Sequence, residues 1–235
     1  MNWREFLSNL RPEVEHVPWV ERWRSSLTAM LAIVATVGLS YWLLTPSFVV
    51  AAVGASSVLI FTLPASPLAQ PWSVFGGYVV SATVGVLVAQ TVPWLAPASG
   101  LAVGGAIFAM IMLRCLHPPA GAVGLFAVIG GEAVRAWGFQ YVLVAVAANA
   151  AVLVVFGIML NNLVPGRRYP RLHPELVAEL LGKDLPPPLS GLSHEELNAV
   201  LEEYGHPLNI SGEELDEILV IVARRHRPQW VPPQR

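Results

Sequence analysis

The chain has 235 residues, of which 54% are hydrophobic and 13% charged, with a formal net charge of -2 at pH 7. Soluble domains carry about a quarter of their residues as charges, so this composition excludes an ordinary soluble domain. The near-neutral balance gives nucleic acid no electrostatic hold, and a lone cysteine, Cys115, excludes an internal disulfide and any cysteine-based metal cluster.

The N-terminus is polar and lacks a short apolar core followed by a small-residue cleavage site, so the first apolar run is expected to act as the targeting signal itself. Trp3, Phe6, Leu7 and Leu10 fall at helical spacing before Pro12, which predicts a short interfacial helix within residues 1–24. Trp19 and Trp23 then flank Arg22 and Arg24, the pattern of an aromatic belt at a membrane surface.

From Ser25 to Leu163 the only charges are Arg114, Glu132 and Arg135, which marks residues 25–163 as a transmembrane domain. Six apolar stretches are predicted at 26–44, 48–63, 73–92, 100–116, 119–131 and 138–161. A helix needs about 20 residues to cross hydrocarbon, so the second is marginal and the fifth, about 20 Å long, is short. Arg22 and Arg24 before the first stretch, with Arg167, Arg168 and Arg171 after the last, predict cytoplasmic termini and an even number of crossings. Four crossings with re-entrant pieces and six with short ones both satisfy this. Gly38, Gly54, Gly76, Gly77, Gly85, Gly104 and Gly105 are expected on faces where helices pack closely, with Gly100 and Gly104 at GxxxG spacing.

After Asn161 the composition changes. Residues 164–191 read as a linker stiffened by Pro186, Pro187 and Pro188, and residues 192–235 as a small cytoplasmic helical domain. Within it, Leu192–Leu201 matches Ile210–Leu219 at an offset of 18 residues. Each copy opens with a capping box, Ser193 with Glu196 and Ser211 with Glu214. The intervening Glu203–Ile210 lacks the alternating oxygen ligands of a calcium loop, so no metal or cofactor is expected.

Two proline-rich interruptions carry the chemistry: Thr62-Leu-Pro-Ala-Ser-Pro-Leu-Ala-Gln-Pro71 and His117-Pro-Pro119. Both fall toward the cytoplasmic ends of stretches running the same way, so they are expected to meet. Broken helices at membrane depth are tolerated where protein or water satisfies the backbone, and transporters use their N-termini to receive anions. Pro118 and Pro119 suit a first helical turn, and Ala120 and Gly121 leave the N–H groups behind them little covered. Arg114, costly inside a span, lies three residues from His117, on the same face if the helix continues. Ser57, Ser66 and Gln70 are the expected secondary donors, with Ser56 and Thr62 as further neutral groups.

Three blocks resemble the HPP family of integral membrane proteins: Gly54-Ala-Ser-Ser-Val-Leu-Ile-Phe61, Pro64–Trp72 with Gly76-Gly77, and Leu113-Arg-Cys-Leu-His-Pro-Pro-Ala-Gly-Ala122. Members in cyanobacteria and chloroplasts are linked to nitrite transport, so the resemblance implies passage of a small inorganic anion. Tyr78 departs from the pattern, which leads one to expect histidine or asparagine after the glycine pair. The resulting expectation is an all-α polytopic bundle in a cell inner membrane that transports nitrite or nitrate, with lipid, the anion and further copies of the same chain as partners. Arg114, His117, Pro118, Pro119, Ala120, Gly121, Ser57, Ser66 and Gln70 would form its site. No Walker-type loop or paired intramembrane carboxylates suggest ATP hydrolysis or another enzymatic activity. The alternative is a membrane-anchored regulatory protein whose tail binds a partner.

Overall fold

A computed structural model describes residues 18–43 and 52–171. The predicted N-terminal interfacial helix and the repeat-containing tail lie outside the described residues. Among the described residues seven α-helices follow in chain order: α1 Trp19–Leu43, α2 Ala52–Thr62, α3 Pro71–Thr91, α4 Leu95–Met112, α5 Ala120–Ile129, α6 Gly131–Trp137 and α7 Ala148–Leu163. One 3-10 turn, Pro67–Ala69, precedes α3, and a π-helical stretch, Tyr141–Ala147, runs directly into α7.

Trp19–Trp42, Pro71–Thr91, Leu95–Met112 and Tyr141–Leu163 are long and apolar enough to cross a membrane. The second stretch, marginal by its sequence, appears as the 11 residues of α2, and the fifth, expected to be short, as the 10 residues of α5. After α5 the chain bends by 103° into α6. Gly131, at φ 83, makes that bend, a backbone state in which a side chain would be strained. The fourth helix starts at Leu95 rather than near residue 100, because Pro97 falls in its first turn, where a missing N–H breaks no bond.

Contacts along the helices fix their directions. Glu21 at the start of α1 pairs with Arg167 just past α7, while Ser40 near the end of α1 bonds Asn149 near the start of α7, so these two are antiparallel. Gly77 of α3 faces Cys115 and His117, and Gly85 faces Gly124, so α3 and α5 run parallel. Gly77 also approaches Met110 and Val84 approaches Gly105, which makes α4 antiparallel to both. One end of the bundle, the proline end, therefore gathers the starts of α1, α3 and α5 and the ends of α2, α4 and α7.

Glycine sets the tightest packing. A Cβ at Gly85 would lie 2.4 Å from the Gly124 carbonyl oxygen, and one at Gly124 would lie 2.9 Å from that of Ser81, so α3 and α5 meet backbone to backbone. Gly76, Gly77 and Gly105 likewise stand at close contacts, whereas Gly38, Gly54, Gly100 and Gly104 have nothing within 4 Å. The first group therefore stands where helices pack closely, and the second turns away from the described bundle. Outward positions are apolar: Trp42, Phe108, Leu143 and Met112 are all exposed. That inversion of the soluble pattern is what a lipid surround requires. Trp19, Trp23 and Trp72 are exposed at the proline end and Trp42 and Trp94 at the other, an aromatic belt at each surface.

Candidate functional site

The first break is held by its own polar groups. Ser66 caps the 3-10 turn, its Oγ accepting from the Leu68 N–H at 3.2 Å. The Gln70 carboxamide donates to the carbonyls of Pro64 at 3.0 Å and Ser66 at 2.9 Å, and accepts from the Arg171 N–H at 2.8 Å. Ser73 Oγ donates to the Pro67 carbonyl and Tyr169 Oη to that of Ala69, at 2.8 and 2.7 Å. Burial pushes the pKa of Tyr169, which lies beyond the last span, up from its ordinary value, so its phenol remains a donor. These bonds satisfy irregular backbone that lipid could not.

The second break begins where α4 stops. Arg114 N–H donates to the Ile111 carbonyl at 3.1 Å and Cys115 N–H to that of Met110 at 2.9 Å, with Arg114 itself at φ 53. This is a Schellman termination with arginine in the left-handed position that glycine usually fills. Trp72 Nε1 donates to the Leu113 carbonyl at 3.2 Å and ties the start of α3 to the end of α4. Beyond His117, the N–H groups of Ala120, Gly121 and Ala122 donate to the carbonyls of His117, Pro118 and Pro119 at 2.9, 3.1 and 3.2 Å.

The two breaks meet, as their sequence positions predict, and His117 joins them. It is fully buried, with Nδ1 2.7 Å from the Leu68 carbonyl of the first break and Nε2 2.7 Å from Ser56 Oγ on α2. Ser56 Oγ in turn lies 2.8 Å from Tyr78 Oη on α3, whose ring centroid is 5.8 Å from that of His117. A carbonyl only accepts, so Nδ1 carries the proton. In the neutral ring Nε2 then accepts from Ser56, and Ser56 accepts from Tyr78. The chain of bonds therefore has one direction, from Tyr78 through Ser56 and His117 to Leu68. Gly77 permits it, because a Cβ there would lie 2.9 Å from both the Cys115 carbonyl and His117 Cβ.

Several expected site residues sit elsewhere. The α4 helix ends at Met112, so Arg114 does not share a helical face with His117, and it is exposed where His117 is buried. The N–H groups behind Pro118 and Pro119 are not bare, because the tight turn uses those of Ala120 and Gly121 internally. Ser57 donates to the Gly54 carbonyl at 2.8 Å, and Ser66 and Gln70 brace the first break rather than face His117. Ser56 reaches the crossing in place of its neighbour, and so does Tyr78, noticed in the sequence only as a departure. Tyr169 had no signal at all, being one aromatic residue in a stretch that reads as linker.

Charge is as asymmetric as the geometry. Among the described residues the proline end holds Arg22, Arg24, Arg114, Arg167, Arg168 and Arg171 against Glu21 alone, while the opposite end holds Glu132 and Arg135. Arg167 braces its own end, reaching Glu21, Asn161 and Ser25. This excess of arginine gives the proline end a positive potential.

Two Dictyostelium discoideum proteins, each named as a transmembrane protein, are similar to this chain. One is 35% identical over 172 residues, covering 69% of this chain and 53% of its own length. The other is 30% identical over 164 residues, covering 68% and 56%. The chain thus spans about half the length of the curated relatives it matches. No solved structure matches. With the HPP transmembrane region matching residues 14–170, which include both breaks and the residue that joins them, the chain belongs to the HPP family of membrane proteins.

Proposed function

We propose that this protein passes a small inorganic anion, nitrite first and nitrate second, across a cell inner membrane, with the proline end cytoplasmic. The observation that carries the reading is the meeting of two broken helices at the arginine-rich end, since such breaks at membrane depth are the sites transporters build. Six arginines at one end also support the orientation by the positive-inside rule. Arg114 serves as the charge at the entrance. Ser56 and Tyr78, whose protons are committed to the chain that ends at Leu68, fix the shape of the crossing below it, and a single exposed charge suits an ion that has to leave again. His117 holds the two breaks in register.

Nitrite uptake by reconstituted vesicles tests this. Arg114→Ala and Arg114→Gly should each lower uptake about tenfold or more, the scale of one charge-assisted contact, while Arg114→Lys retains part of it. The glycine variant is decisive because it suits the left-handed turn and so removes the side chain without straining the backbone. Full uptake in that variant removes Arg114 from the path, and no uptake by the unaltered chain removes the transport reading.

A further inference from the structure

A cavity of about 200 Å³ opens at the end of the bundle away from the proline breaks, where α3 and α5 finish and α6 lies across them. Val86 and Ala89 of α3, Ala127 of α5 and Val134 of α6 make it apolar, and Gln90 and Arg135 supply its polar groups. Among the described residues neither of those two side chains has a hydrogen-bond or ion-pair partner. Glu132, on the same short helix as Arg135, does not line the cavity, so among the described residues no carboxylate faces into it. Gly138, at φ 49, closes the rim, and a Cβ there would lie 3.2 Å from Gln90 Nε2, so the glycine leaves the carboxamide room.

Size and lining together define the occupant. An apolar cavity of about 150 Å³ holds a benzene molecule, so a three-atom ion would leave most of this one empty. A purely apolar guest would leave the guanidinium unused, and a cation would be repelled. We propose that the cavity binds an amphipathic monocarboxylate with a body of about five to seven carbons, a size set by that comparison. The carboxylate takes the planar donor fork of Arg135, the Gln90 amide adds a second donor, and the hydrocarbon body lies on Val86, Ala89, Ala127 and Val134. This site is separate from the crossing of the breaks, and its test reads binding rather than uptake.

Calorimetric titration of the full chain in detergent with butyrate, pentanoate and hexanoate should show affinity rising about fourfold per added methylene, as buried CH₂ groups require. Hexan-1-ol, which has the body without the charge, should bind at least about tenfold more weakly than hexanoate. Arg135→Ala should cost hexanoate a similar factor, and Arg135→Lys less. Because Arg135 is exposed, an unchanged melting temperature for the empty Arg135→Ala chain shows that the fold is retained. Ala89→Leu, which takes volume from the cavity, should weaken hexanoate more than butyrate. Equal binding of hexanol and hexanoate, hexanoate binding that Arg135→Ala leaves intact, or a co-purified phospholipid that hexanoate does not displace, each overturns the proposal.

Discussion

His117 has no spare bonding capacity in the folded chain, since Nδ1 serves Leu68 and Nε2 serves Ser56. Removing it leaves a buried carbonyl and a buried hydroxyl without partners and a hole between two helix breaks. His117→Ala should therefore destabilise the protein by about 3 kcal/mol, read from thermal melting in detergent. Tyr78→Phe removes only the outermost donor of the same chain and should cost about 0.6–1 kcal/mol, the range for interhelical hydrogen bonds in membranes. Tyr141 gives the contrast. Its hydroxyl is buried with no partner among the described residues, so Tyr141→Phe should be neutral or stabilising by up to about 1 kcal/mol. If Tyr78→Phe and Tyr141→Phe shift the melting temperature alike, the directional chain has no energetic meaning. At this scale the sequence was partly legible. His117 stood out because a histidine beside two prolines in an apolar run demands a partner. Its shared face with Arg114 depends on the helix continuing, and spacing alone cannot show the single peptide at which Arg114 turns to φ 53 and ends it.

Helix boundaries were more legible than side-chain partners, because hydrophobic length and proline position are properties of the chain alone. The expected stretches at 48–63, 73–92 and 119–131 appear as α2, α3 and α5 with ends shifted by a few residues. Which glycines matter was not legible, since that depends on which face each helix turns to its neighbour. Gly85 and Gly100 look equivalent in sequence, yet only Gly85 stands against a carbonyl, that of Gly124. Gly85→Ala should then cost about 1–3 kcal/mol by forcing α3 and α5 apart, while Gly100→Ala should stay within about 0.5 kcal/mol. Equal melting temperatures for the two variants would contradict the backbone-to-backbone contact. The π-helical start of the last span, Tyr141–Ala147, had no sequence signature either, because its residues are ordinary apolar ones.

For the molecule as a whole, composition alone gave the membrane and the basic ends, and the structure adds that these ends converge. Arg167 joins the start of α1 to the end of α7, with its side chain only 6% exposed. Arg167→Ala should destabilise the bundle by about 1.5–3 kcal/mol, measurable by thermal melting, and salt should reduce part of that loss because Glu21 is 34% exposed. Under the transport reading, deletion of residues 186–235 should leave nitrite uptake intact, since both breaks and all their described braces lie before residue 172. Lost uptake would move part of the function into the tail.

The bonds that Tyr169 and Arg171 make to Ala69 and Gln70 have a mechanical consequence. Leu68, which His117 grips from the second break, is the immediate neighbour of Ala69, so the first break is clamped from two sides by segments that are distant in the chain. A loop clamped in this way does not swing as a lid. Freeing it takes two separate releases, one at the histidine and one at the strap that follows α7, and tension applied along that strap reaches the clamp directly.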